Sequence, residues 1–391
     1  MKTNLKIRRN ITLIPIFNFF TELRFFGIIE LLFFAEITKS YTLAMSIFTI
    51  GLFAVSIFEV PTGILSDKMG RKLTIVASTI FDIFGFISYG LGGVYQSYWL
   101  LALGGVLQGV AQSFYSGTGE ALLYETLVDL RKKNKYHEVY GKTSSIFQIS
   151  LAVSALCGAG IAYLTSYLFV VWLSLIPQII CLFTALSFVE PKKRTNNQEN
   201  VFKHLKEAFN LFLKNKKLRF ISIASILSYS FGDASHSFQI VFFNTLVPTW
   251  VIGIARTLKQ LGGALSFWFA GAIINKLGHG KVLIGGNILM EFFGLIAIAC
   301  NSALSPFLFA TNNLFYGATS TSKMQLMQNE FSDTQRATMG SLISFVGNIM
   351  FGIVSMMLGY VADLSSPRIA LLITIAPAPI LIWLYSKTLK S

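Results

Sequence analysis

Twelve stretches of this 391-residue chain are apolar and long enough to cross a bilayer as helices. They fall at roughly 11–35, 42–64, 73–94, 98–124, 143–164, 167–189, 219–243, 249–275, 282–300, 303–323, 339–362 and 368–386, and are numbered here as runs 1 to 12. A hydrocarbon core about 30 Å thick needs about 20 such residues per helical span. Membrane strands instead alternate in polarity over about ten residues, and these runs are continuous. Charged residues make up 13% of the chain and hydrophobic ones 53%, with a mean hydropathy of +0.62. A soluble domain carries about 25% charged residues, so a water-soluble globule is excluded. Disorder is excluded by the same apolar and aromatic content. The first run exceeds the apolar core of a secretion signal, about 7–15 residues, and no small-residue cleavage site follows it. The expectation is an all-α polytopic membrane protein that keeps its first span.

The net charge of +14 has a direction. Of the 32 Lys and Arg residues, 27 lie at the two termini, between runs 2 and 3, 4 and 5, 8 and 9, and 10 and 11, or in the polar stretch after run 6. The opposite loops hold only Lys39 and Arg368. Basic loops stay on the cytoplasmic side, which puts both termini inside and the protein in the cytoplasmic membrane. The charge is thereby explained without a nucleic-acid partner. Cys157, Cys181 and Cys300 sit inside apolar runs at no metal-ligand spacing. There is no phosphate-binding glycine loop and no clustered acid–base or nucleophile set. Neither a cofactor nor an enzymatic activity is expected.

The polar stretch after run 6 divides the chain. The reading is a six-helix bundle over 1–190, a cytoplasmic linker over 191–218, and a second six-helix bundle over 219–391. Within the linker, Phe202, Leu205, Phe209 and Phe212 alternate with lysines as on a surface amphipathic helix. The halves repeat weakly. Gly63-Ile-Leu-Ser-Asp-Lys-Met-Gly-Arg71 precedes run 3, and Gly271-Ala-Ile-Ile-Asn-Lys-Leu-Gly-His279 occupies the equivalent place before run 9. Duplicated units of this kind build many secondary transporters.

Gly63-Ile-Leu-Ser-Asp67-Lys68-Met-Gly70-Arg71-Lys72 resembles the loop signature between spans 2 and 3 of the major facilitator superfamily. The preceding Glu59-Val-Pro-Thr-Gly63 is similar to bacterial members. The resemblance implies twelve transmembrane helices in two pseudo-symmetric bundles. It also implies a gating latch that holds the halves together when the outside is open, formed here by Gly63, Asp67, Lys68, Gly70, Arg71 and Lys72. In physical terms, Gly63 would let helices approach and Gly70 would allow a turn. Asp67 would accept from the N–H groups of a helix N-terminus. Arg71 would pair with Glu125 or Asp129. Two further family patterns are degraded. Run 4 keeps Leu101, Gln108 and Gly109 of the pattern L-x-x-x-R-x-x-Q-G, but Gly105 stands where the arginine belongs. Run 5 has small residues (Ala155, Gly158, Ala159, Gly160) and no Gly-Pro pair.

Ionisable side chains inside a bilayer mark function by default. They are Glu22, Arg24, Glu30, Asp82 and Glu120 in the first half, and Asp233, His236, Arg256, Lys259 and Glu291 in the second. On a continuous helix Glu22 and Arg24 are about 200° apart and face differently. At 1.5 Å per residue, Asp233, Arg256 and Lys259 reach overlapping depths, which allows Asp233–Arg256 or Asp233–Lys259 pairs. His236 shares a face with Asp233. Acids outnumber bases in this set, which favours a cationic or zwitterionic cargo, or carboxylates that carry protons.

The function expected is secondary active transport of a small organic solute by alternating access, with proton-coupled efflux by antiport ahead of proton-coupled uptake. The partners expected are the solute, protons and the lipid bilayer, with the chain acting as a monomer. A non-transporting sensor or lipid-handling relative is the alternative of another class.

Overall fold

The computed structural model describes residues 2–192, 212, 215–328, 330 and 336–390. It divides into two compact units, Met1–Thr195 and Asn196–Ser391. Among the described residues helices are the only regular structure. The linker helix expected over 202–213 lies outside them except for Phe212, which packs against Leu218 and Ile221.

In the first unit the helices are α1 (Lys2–Glu22), α2 (Glu30–Thr38), α3 (Tyr41–Met69), α4 (Arg71–Val94), α5 (Tyr98–Tyr115), α6 (Thr118–Asp129), α7 (Tyr136–Leu164), α8 (Tyr167–Leu173) and α9 (Leu175–Leu186). In the second they are α10 (Lys216–Asn244), α11 (Thr249–Leu277), α12 (His279–Cys300), α13 (Ser305–Ala310), α14 (Asn313–Gln328), α15 (Arg336–Leu364), α16 (Pro367–Ile373) and α17 (Ala378–Lys390). Every one of the twelve runs carries helix. By length and composition, eight helical stretches among the described residues could cross a membrane. The other four runs are 4, 7, 8 and 10. Runs 4 and 10 are each carried by two helices, and runs 7 and 8 each by one long helix that includes charged side chains.

Local chemistry sets the helix starts. Ser40, Ser166 and Ser366 each accept the N–H of the third residue beyond, from Leu43, Phe169 and Ile369, as N-caps do. Gly70 and Gly278 end α3 and α11 at φ +96°, ψ 161° and φ +79°, ψ 154°. That region of the backbone map is open essentially to glycine alone. The sequence repeat is therefore a repeat of one turn.

The helix pairing repeats as well. In the first unit α5 packs on α3, and in the second α14 packs on α11. The α3–α5 contact is backbone against backbone. A Cβ at Gly105 would lie 2.8 Å from the Ile47 carbonyl oxygen, and one at Gly109 would strike the Gly51 carbonyl. In the second unit a Cβ at Gly317 would strike the backbone of Phe267. Small residues at such seams let membrane helices approach closely. The close approach expected at Gly63 is absent: a Cβ there meets nothing within 4 Å. Its neighbour Thr62 makes the contact instead, donating from Oγ1 to the Ser113 carbonyl at 3.0 Å.

Run 1 is interrupted. α1 stops at Glu22, a 3-10 turn covers Phe25–Ile28, and α2 starts at Glu30. Backbone freed inside a membrane must find partners in the protein. Ser174 Oγ accepts the Phe26 N–H at 3.0 Å, and Ser154 Oγ donates to the Arg24 carbonyl at 2.6 Å. Below the turn, Phe26, Phe34, Phe86 and Tyr89 pack ring against ring. This interruption lifts Arg24 out of any regular helix.

Candidate functional site

Three groups of polar side chains carry the candidate chemistry, two in the first unit and one in the second.

The first is the loop between α3 and α4. Gly70 reverses the chain, so Arg71 begins α4 while its side chain turns back toward α3. The guanidinium meets Glu125 Oε1 at 3.1 Å and Asp67 Oδ1 at 3.0 Å, and it donates to Ser66 Oγ at 2.8 Å. Of the two acids expected for Arg71, Glu125 takes the place. Asp129 accepts the Lys192 N–H at 2.9 Å instead. The α4 N-terminus is not capped by Asp67, which is spent on Arg71 four residues later. Glu190, just beyond α9, does it: its two carboxylate oxygens accept the N–H groups of Arg71 and Lys72, each at 2.7 Å. An anion on the first N–H groups of a helix satisfies donors that have no partner within the helix and meets the positive end of its dipole. Lys68 and Lys72 flank this cluster. All the partners named lie within the first unit.

The second group surrounds the break in run 1. Arg24 donates from Nη2 to Asp82 Oδ2 at 3.2 Å, from Nη1 to Gln108 Oε1 at 3.0 Å, and from Nε to the Thr21 carbonyl at 2.9 Å. Its guanidinium carbon lies 6.0 Å from the centre of the Phe86 ring. Gln108 Nε2 closes the circuit by donating to the Asp82 carbonyl at 3.2 Å. Asp82 is 4% exposed, and its second oxygen, Oδ1, has no hydrogen-bond partner among the described residues. Glu22 and Glu30 both lie within electrostatic reach of Arg24 and Asp82. The expectation that Glu22 and Arg24 face apart assumed one unbroken helix. The helix ends between them, so both address the same place.

Gln108 belongs to the degraded span 4 pattern, and its arginine partner arrives from another helix. Gly105 could not have held that arginine in this packing, because its Cα faces the α3 backbone. Arg24 supplies a guanidinium to Gln108 instead. Glu120 stands apart, in the first turn of α6, accepting from Tyr140 Oη at 3.1 Å.

The third group spans α10 and α11. Arg256 Nη2 donates to the His236 carbonyl at 2.8 Å, and its Nη1 reaches the His236 ring. Lys259 Nζ lies 3.1 Å from His236 Nδ1 and donates to Gln239 Oε1 at 3.1 Å. The pairing expected between Asp233 and these cations is not a contact. Asp233 is one turn from His236 toward the start of α10, within electrostatic reach of Lys259 and of Lys323 on α14. Lys323, at the end of run 10, is helical and belongs to this group. Glu291 lies on α12, and none of the hydrogen bonds just named for this third group reaches it.

Glu190, Gln239 and Lys323 were missed as site residues in the sequence. Only Lys323 had a signal, since a lysine within two turns of an apolar run counts as part of its helix.

No group of three or more His, Cys, Asp or Glu side chains that could hold a metal occurs among the described residues.

Residues 11–255 match the family model described as Major Facilitator Superfamily. A protein of Buchnera aphidicola subsp. Acyrthosiphon pisum named "Uncharacterized transporter BU466" is 28% identical over 176 residues, 44% of this chain and 43% of that protein. An "Uncharacterized transporter" of Buchnera aphidicola subsp. Schizaphis graminum is 29% identical over 213 residues, 49% of this chain and 50% of that one. The chain thus spans about half the length of these relatives. Among solved structures, the nucleoside transporter NupG superposes with a TM-score of 0.78 at 14% identity, over 100% of both chains. The POT family transporter PepTSo gives 0.76 at 11% over 98% of both. FucP in its outward conformation gives 0.62 at 16% over 98% of this chain and 99% of that one. At such identities the likeness is one of fold. The matched model covers more than half of the sequence, and with the multi-pass helical fold it establishes that the chain belongs to the Major Facilitator Superfamily.

Proposed function

We propose that this protein is a secondary active transporter that moves a small organic solute across the cytoplasmic membrane by alternating access, in exchange for protons and in the direction of export. The observation that carries the reading is the Arg24–Asp82–Gln108 circuit at the break in run 1. A mid-membrane ion pair with one unsatisfied carboxylate oxygen is a poor way to stabilise a fold. Replacing such a pair by apolar side chains is commonly neutral or stabilising. It is a good way to build a switch, because protonating Asp82 removes the charge that holds Arg24. Glu22 and Glu30, within electrostatic reach of Arg24 and Asp82, are the proposed further carriers of that proton. The direction is read from the likeness of Glu59–Lys72 to bacterial members; uptake by symport would use the same residues with the solute moving along the proton flow.

The loop cluster is the proposed gate. Arg71 holds Asp67 and Glu125 by charge, and Glu190 holds the start of α4. Such contacts form a two-state element that breaks as a unit.

The test is flux in vesicles. Purified protein is reconstituted, a pH gradient is imposed in either direction, and labelled nucleosides, peptides and sugars are followed. The expected result is solute movement against the proton flow in wild type and its loss in Asp82→Asn. Flux that ignores the gradient, or survives unchanged in Asp82→Asn, overturns the proton-coupled reading. Movement with the proton flow reverses the direction.

A further inference from the structure

The two units differ in how their membrane charges are neutralised, and the second leaves cations over. In the first, Arg24 has a carboxylate at contact distance and two more in reach. In the second, Arg256 is 6% exposed; among the described residues its side-chain hydrogen bonds all go to His236, and its Nε has no partner. Lys259 converges on the same imidazole. That ring cannot neutralise them. A neutral imidazole offers one acceptor nitrogen, and a charged one offers none. Asp233 lies within electrostatic reach of Lys259 and is shared with Lys323. Among the described residues no carboxylate forms an ion pair with Arg256.

Depth makes this informative. Arg256 and Lys259 lie seven and ten residues into α11, about 10 and 15 Å along it. A buried guanidinium at that depth needs a counter-charge. The side chains beside it are donors and amides (His236, Gln239, Lys259) rather than carboxylates. A fork of guanidinium donors with an ammonium beside it is the arrangement that recognises carboxylate or phosphate oxygens.

We infer that Arg256 and Lys259, with His236 and Gln239 placing them, bind an anionic group of the cargo, a carboxylate or a phosphate. This rests on the transporter reading and names its substrate class. It also departs from the charge balance of the sequence, where acids outnumber bases along the runs. The acids that produce that balance cluster in the first unit, and the second presents cations.

The test is ligand-induced stabilisation of the full chain in detergent, at matched ionic strength. The probes are succinate, glucose 6-phosphate and inorganic phosphate, with glucose, uridine and choline as neutral and cationic controls. Expected is a rise in melting temperature with at least one anionic probe and none with the controls. Succinate alone assigns the site to carboxylates. Glucose 6-phosphate or phosphate assigns it to phosphates. Arg256→Gln and Lys259→Gln should each weaken the apparent affinity about tenfold to a hundredfold, the value of a charge-assisted hydrogen bond. Arg256→Lys should restore part of it. If Arg256→Gln does not fold, Lys259→Gln carries the comparison. Stabilisation by none of the anions, by controls only, or equally in wild type and both glutamine variants overturns the inference. If a neutral solute is stabilising and is also carried in vesicles, the transport reading stands and this one falls.

Discussion

Glu190 and Gly70 should be energetically coupled, and a double-mutant cycle measures how strongly. Two separate costs meet at Gly70. Its backbone, at φ +96° and ψ 161°, suits glycine alone, and a side chain there costs about 1–3 kcal/mol in strain. A Cβ at Gly70 would also lie 2.5 Å from Glu190 Oε1 and 2.7 Å from its carboxyl carbon. Glu190 is the acceptor for both N–H groups that open α4. Gly70→Ala therefore pushes the carboxylate off two charge-assisted hydrogen bonds, nominally about 1.5–3 kcal/mol each. Glu190 is partly exposed to water, so solvent screening takes the bonds below that range, and about 2 kcal/mol for the pair is the working figure. Glu190→Ala loses that amount alone. Gly70→Ala loses it together with the strain, about 3–5 kcal/mol in all. In the double variant the bonds are lost once and the clash is gone. It should fall short of the sum of the singles by about 2 kcal/mol, within the coupling typical of residues in contact. The assay is denaturant unfolding of the four proteins in detergent, followed by tryptophan fluorescence. Additivity within about 0.5 kcal/mol, the behaviour of independent sites, would refute the claim that Glu190 occupies the space over Gly70 and caps α4.

Three further outcomes follow from the same geometry. Gly109→Ala should destabilise by about 1–3 kcal/mol through overpacking, because its Cβ would enter the Gly51 carbonyl; Gly63→Ala, with open space around it, should be neutral or slightly stabilising in the same unfolding assay. Asp82→Ala should cost about 3–5 kcal/mol by stranding the Arg24 charge, whereas Arg24→Gln with Asp82→Asn should recover most of the stability but not the flux. Glu330 gains hydrogen bonds from Asn215 and Lys217 that outweigh its burial and hold its carboxyl below the usual glutamate value. A depressed native pKa gives stability that is present above the unfolded pKa, about 4.3, and lost as pH falls through the native value; the small deficit of Glu330→Gln at pH 7 should thus shrink progressively as pH falls below about 4.3 in unfolding curves taken across pH.

Long-range chemistry was legible in the sequence where it depended on composition or on a short turn. The membrane class follows from apolar runs, and the reach of Arg71 to Glu125 follows from a turn that places one residue at the start of a helix. What was hidden depended on partners far away in the chain. Nothing near Glu190 marks it as the cap of α4, because it meets Arg71 across more than a hundred residues. The rotation that sets Glu22 and Arg24 apart holds only for an unbroken helix, and the break depends on Ser154 and Ser174. Asp233 was matched to Arg256 by depth alone, and depth says nothing of the direction a side chain takes around the helix.

Gly105 and Arg24 show how a family pattern can lose a residue while its surroundings keep the charge. The seam between α3 and α5 is closed by Gly51, Gly105 and Gly109, so tightly that no side chain fits at 105. A guanidinium on α5 would hold the helices apart. Breaking run 1 at Leu23 solves this from the other side: it frees Arg24 to reach Gln108 and Asp82 without entering the seam. The two features require each other in physical terms. Gly105→Arg alone should open the α3–α5 seam and set a second cation beside Arg24, so it should abolish folding rather than restore a lost function. Gly105→Arg combined with Arg24→Leu removes the like-charge conflict but not the collision with the Ile47 carbonyl, and it should remain unfolded. If size-exclusion chromatography in detergent found the double variant monodisperse and as stable as wild type, the packing argument for the displaced arginine would be wrong.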